Sequence, residues 1–82
     1  MKTRKLEISD KNMVGRNIAR LRINKGIKQK DFIAQIQAAG IDMNPTSYSK
    51  LEGQFRLVTD KELFVIAKLL DVDINELFRQ TK

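Results

Sequence analysis

An 82-residue chain bounds one domain with a modest core. It contains no cysteine and no histidine. That excludes disulfides and cysteine or histidine metal ligation, and leaves only carboxylates, lysines and hydroxyls for any catalysis. The net charge of +6 is unevenly placed: residues 1–30 hold ten Lys/Arg against two Asp/Glu, and residues 31–82 hold six against eight. A basic first third beside an acidic remainder is the footprint of a polyanion-facing side. No apolar run approaches the roughly 20 residues a membrane helix needs. No apolar core follows Lys2, Arg4 and Lys5, so no export signal is read and a cytoplasmic location is expected.

Residues 1–11 read as a flexible basic arm, either a disordered terminus or an arm that lies along phosphates or enters a minor groove. The domain proper spans 12–80. The first helix is expected from Asn12 to Lys25, because Val14, Ile18 and Leu21 recur on one stripe. Gly26 ends it, with Lys25 near the negative end of its dipole, and Ile27 packs inward. The second helix is expected over Lys28 to Ala39, with Phe32 and Ile36 on its apolar face. Gly40 closes it as a left-handed cap with Ile41 folding back.

The clearest punctuation opens the third helix, expected from Pro45 to Gly53. Asn44 is a good N-cap, and Pro45 occupies the first helical position, where its missing N–H costs nothing. Tyr48 and Leu51 are three apart and share an inward face. Thr46, Ser49 and Lys50 point elsewhere, a small polar and cationic set suited to base edges and phosphates. The fourth helix starts at Thr59 with Glu62 in a capping box. Leu63, Ile66, Ala67 and Leu70 form its stripe, with Phe64 also assigned to the core. Asp73 caps a short fifth helix with Glu76 as reciprocal partner, and Ile74, Leu77 and Phe78 close the core.

Taken together, Arg22, Gln29, Phe32, Ile36, the run Ser49-Lys50-Leu51-Glu52, Arg56, Leu63, Ala67-Lys68, Leu70 and Asn75-Glu76-Leu77 resemble the Cro/cI-type (XRE-like) helix-turn-helix family of repressors. The resemblance covers roughly Val14 to Phe78. It implies an all-α, five-helix, lambda-repressor-like domain whose third helix enters the major groove of DNA. It also implies site residues: base contacts by Asn44, Pro45, Thr46 and Lys50; phosphate contacts by Gln29, Ser49, Gln54 and Arg56; and a structural ion pair between Arg22 and Glu52. The chain departs from the family in four places. Lys28 stands where a Ser or Thr cap is usual, Ile33 replaces a small residue, residues 37–42 lengthen the turn before the third helix, and Gly53-Gln54 stand in reversed order, so a weaker cap and a reshaped exit loop are expected.

The function implied is a sequence-specific transcriptional regulator that binds double-stranded DNA, commonly as a homodimer with one half-site per copy. The alternative is a protein-interaction module on the same fold, antitoxin-like or binding a regulatory partner. An enzyme ranks last: Asp71 and Asp73 read as loop and cap residues, and no phosphate-binding glycine loop is present. No cofactor, metal or small-molecule ligand is expected, nor a membrane partner.

Overall fold

The computed structural model describes residues 10–79, so residues 1–9 of the expected 1–11 arm and residue 80 of the expected 12–80 domain lie outside the described residues. The chain is all-helical there, with α1 (Gly15–Asn24), α2 (Gln29–Ala38), α3 (Pro45–Glu52), α4 (Asp60–Leu70) and a 3-10 helix (Ile74–Phe78). No strand occurs among the described residues, and no helix among them is long and apolar enough to cross a membrane. The helices surround one core of Val14, Ile18, Phe32, Ile33, Ile36, Met43, Tyr48, Leu51, Ile66, Ala67, Leu70 and Leu77. α1 packs on α3, α4 and the 3-10 helix, and α2 packs on α3 and α4. Tyr48 and Phe32 meet edge to face at 5.9 Å between ring centres, joining α3 to α2 at the middle of that core.

α1 starts three residues later than its periodicity predicts, because Asn12 acts as a bracket instead of a helical residue. Its Oδ1 accepts from the amides of Val14 and Gly15, and its Nδ2 donates to the carbonyls of Leu51 and Arg56. Lys11, the last residue of the expected arm, donates its amide to the Gln54 carbonyl at 2.9 Å. Gly15 lies so close to the end of α3 that an added Cβ would fall 2.3 Å from the Leu51 carbonyl oxygen.

All four α-helices end alike, with one left-handed residue followed by an amide that folds back onto the last turn. The left-handed residues are Gly26, Gly40, Gln54 and Asp71. The returning bonds are Ile27 to Arg22, Ile41 to Ile36, Phe55 to Lys50 and Val72 to Ala67. The long α2–α3 connection is held down rather than loose. Gln37 Nε2 donates to the Met43 carbonyl at 2.6 Å, Met43 is buried, and Ile41 packs on the core.

The C-terminal part corrects several expectations. Residues 74–78 wind as a 3-10 helix, not a fifth α-helix. Asp73 accepts from the Asn75 amide, while the Glu76 carboxylate turns to Arg79 instead of back to residue 73. At about three residues per turn Phe78 lies a third of a turn away from Leu77, and Ile74 sits at the open start of the helix; Leu77 is buried, whereas Ile74 and Phe78 are exposed. Phe64 is 58 % exposed and is not core. It falls off the Leu63–Ile66–Ala67–Leu70 stripe, and Lys68 Nζ sits 5.0 Å above its ring. Asn17 on α1 is buried and donates to the carbonyls of Leu77 and Arg79, which fixes the 3-10 helix against α1.

Candidate nucleic-acid interface

α3 is held by its inner face and by its last residue, and its outer face is left open. Asn44 Oδ1 accepts from the Ser47 amide at 2.8 Å, and Pro45 stands at the first helical position. Tyr48 and Leu51 are fully buried, and burial together with the nearby Glu52 carboxylate pushes the Tyr48 hydroxyl well above its ordinary pKa. Asn44, Pro45, Thr46, Ser49 and Lys50 are all exposed.

Glu52 closes α3 and joins three helices through one carboxylate. Arg22 of α1 donates to it with Nε at 2.8 Å and Nη2 at 3.3 Å. Gln29, the first residue of α2, donates with Nε2 at 3.0 Å. Arg22 also reaches the Ile27 carbonyl at 2.6 Å, in the turn between α1 and α2. The Arg22 and Glu52 side chains are only 10 % and 9 % exposed. A buried guanidinium needs such matched acceptors, and the bond to Glu52 raises the Arg22 pKa above its ordinary value. Lys28, before α2, makes no side-chain cap, so the start of α2 is held instead by the Gln29–Glu52 bond.

Two residues expected at phosphates make their hydrogen bonds within the protein: Gln54 is buried, and Arg56 is partly exposed. Arg56 commits every N–H of its guanidinium within the protein. Nε donates to the Ser47 carbonyl, Nη1 to the Leu57 carbonyl and Glu62 Oε1, and Nη2 to Glu62 Oε2 and the Met43 sulfur. No donor is left for a phosphate, and Arg56 works as a strut between α3 and α4. Its partner Glu62 also completes the Thr59 capping box. Burial raises the Glu62 pKa, but the bonds from Arg56 and from the Thr59 amide outweigh it and hold the carboxyl below its ordinary value.

Gln54 is 3 % exposed. Its Nε2 donates to the Asn12 carbonyl and its Oε1 accepts from Arg16 Nε, both at 2.9 Å. A left-handed residue other than glycine costs about 1–2 kcal/mol, which these buried bonds offset. The reversed Gly53-Gln54 order thereby has a physical account. Gln54 takes the left-handed position, and Gly53 leaves room for the Phe55 ring, whose Cδ2 would lie 2.7 Å from a Cβ at residue 53.

Pro45, Thr46, Ser49, Lys50 and Phe55 line an open groove of about 420 Å³. An adjoining groove runs along Asn44, Pro45, Thr46, Ser47, Lys50, Phe55 and Arg56. Among the described residues no carboxylate lines either one, and Arg56 is paired with Glu62 behind it. Sequence reasoning passed over Phe55, whose only signal was an aromatic residue outside every helical stripe.

The chain matches no protein-family model, no curated protein and no solved structure.

Proposed function

We propose that this chain is a sequence-specific DNA-binding protein, a small transcriptional regulator of the Cro/cI-type helix-turn-helix kind. In this reading the four α-helices and the 3-10 helix correspond to the five helices of a lambda-repressor-like domain, and α3 lies in the major groove. The observation that carries the reading is the division of α3. Its Tyr48–Leu51 face is fully buried and its end is clamped through Glu52 to α1 and α2, while Asn44 to Thr46, Ser49 and Lys50 face solvent in a groove free of carboxylates. A short helix held rigidly by one face can present the other at a fixed depth and angle, which base-edge recognition requires.

Within the site, Thr46 offers a hydroxyl and a methyl to base edges, and Lys50 reaches either a guanine edge or a phosphate. Asn44 and Pro45 stand at the leading end of the helix. Ser49 and Gln29 are the phosphate contacts that the geometry leaves available; Gln54 and Arg56 are withdrawn from that role. The basic first third supplies the electrostatic attraction, and a homodimer would place one copy on each half-site.

Duplex binding titrated against salt tests this reading. With about four to six phosphates contacted per copy, log K should fall against log salt with a slope near −4 to −5. A flat response, or no binding at low salt, would favour the alternative of a protein-interaction module. The observation on that side is a separate, more apolar groove formed by Ile41, Phe64, Val65 and Ile74 together with Asp60 and Lys61.

A further inference from the structure

We infer that Phe55 is a specificity-determining residue that reads the 5-methyl group of a thymine, with Thr46 lining the same groove. This assignment rests on the DNA-binding reading and adds to it a residue outside the recognition helix.

Three observations on Phe55 converge. First, its ring is 73 % exposed, although it follows a helix cap of the type that usually folds such a side chain back onto its own helix. Its exposure is not looseness. The Phe55 amide is fixed to the Lys50 carbonyl at 2.8 Å, Gln54 is locked in the left-handed conformation, and the ring lies over Gly53, where no side chain intervenes. Second, the ring lines one groove with Pro45, Thr46, Ser49 and Lys50, the outward residues of α3. Third, Lys50 is the cation without a carboxylate beside it on the two adjoining grooves, since Arg56 is paired with Glu62, and no carboxylate is among the described lining residues, so the groove suits an anionic partner.

An apolar ring in a groove shared with Thr46 and Pro45 has little hydrogen bonding of its own to offer a base. What it can recognise in a major groove is the apolar feature displayed there, the thymine methyl. At the leading end of α3, Pro45 offers no hydrogen bond of its own, so apolar contact is what that position can contribute. Lys50 then supplies charge near the backbone or a guanine edge, and the Phe55–Thr46 groove supplies discrimination among pyrimidines.

The test begins with the duplex selected by the full chain from a random library. Each thymine of the half-site is replaced singly by deoxyuridine, which removes only the methyl. Binding is measured for the wild-type chain, for Phe55→Ser and for Phe55→Leu. The wild type should bind about fourfold more weakly at one uracil position, the worth of one buried methyl group. Phe55→Ser should bind the thymine and uracil duplexes equally there, and Phe55→Leu should keep part of the difference. Thermal melting of Phe55→Ser should match the wild type, since the ring is mostly exposed.

A wild type indifferent to uracil at every position, a selected site with no required thymine, or undiminished uracil sensitivity in Phe55→Ser would each overturn the assignment. So would a change in oligomeric state on Phe55→Ser, measured by sedimentation without DNA, with no change in the thymine-to-uracil ratio; Phe55 would then be a self-association contact. Failure of the wild type to bind any duplex at low salt is a distinct result. It would overturn the DNA-binding reading and this assignment with it.

Discussion

Replacing Arg56 by alanine separates a strut from a phosphate contact. The side chain joins α3 to α4 through a two-pronged bond to Glu62 at 3.0 and 2.9 Å, with the two side chains 21 % and 11 % exposed. Hydrogen bonds to charged groups are worth about 1.5–3 kcal/mol net in proteins. The partial exposure of Arg56 reduces the Coulombic share through solvent screening, but its removal also strips donors from the carbonyls of Ser47 and Leu57. A loss of about 2–3 kcal/mol is expected, which for a domain this small lowers the melting midpoint by roughly 10–20 °C. Glu62→Ala should cost a similar amount, and the double variant should lose about 1–2 kcal/mol less than the sum of the two. Arg56→Lys should recover less than half, since one ammonium cannot reach four separated acceptors. Urea denaturation followed by circular dichroism reads the stabilities, and duplex binding at several salt concentrations reads the contact. The strut account predicts lower stability with the salt slope unchanged for the folded fraction. Stability within about 0.5 kcal/mol of wild type, with a slope shallower by about one unit, would refute it and return Arg56 to the backbone.

Gly15→Ala reverses an ordinary rule: alanine favours a helix by about 1 kcal/mol, yet here its Cβ meets two carbonyl oxygens of α3. A net destabilisation of about 1–3 kcal/mol is expected, and a neutral or stabilised variant in urea would show that the α1–α3 approach is wider than described. Glu52→Ala leaves Arg22 buried without its carboxylate and should cost roughly 2–4 kcal/mol; an Arg22→Ala, Glu52→Ala cycle without coupling would refute the pairing. Because the folded Glu62 pKa is depressed, its contribution is present above the unfolded value and disappears as pH falls through the folded one. Stability should therefore decline on the acid side below about pH 4.5, the ordinary glutamate value, and the decline should be shallower in Glu62→Gln. An unchanged acid limb in that variant would contradict the assignment.

Features governed by neighbouring residues were legible in the sequence. The Asn44–Pro45 start, the Thr59–Glu62 box and the Gly26 and Gly40 ends each depend on a few consecutive positions, and the structure contains all of them. The stripes of α1 and α4 were legible for the same reason, and Phe64 was misplaced only by departing from its own stripe's spacing. What escaped is settled by residues far apart in the chain. Asn12 bracketing residues 51 and 56, Asn17 holding residues 77 and 79, and Gly15 under the end of α3 have no local pattern to betray them. The same holds for the site. Its outward residues on α3 could be picked from helical geometry, but the commitment of Gln54 and Arg56 to internal partners, and the exposure of Phe55 beside Thr46, emerge only from the packed chain.

The central claim is that α3 reads bases from its leading end, and Thr46 is its most direct probe. Thr46 is exposed in the first turn after the Asn44 cap and carries no charge. The decisive measurement compares wild type and Thr46→Ala on the library-selected duplex and on each of its single-base variants. The account predicts that Thr46→Ala changes the preferred base at one position, by roughly 1–2 kcal/mol, and leaves discrimination elsewhere intact. Equal weakening on every duplex, or no change on any, would contradict it.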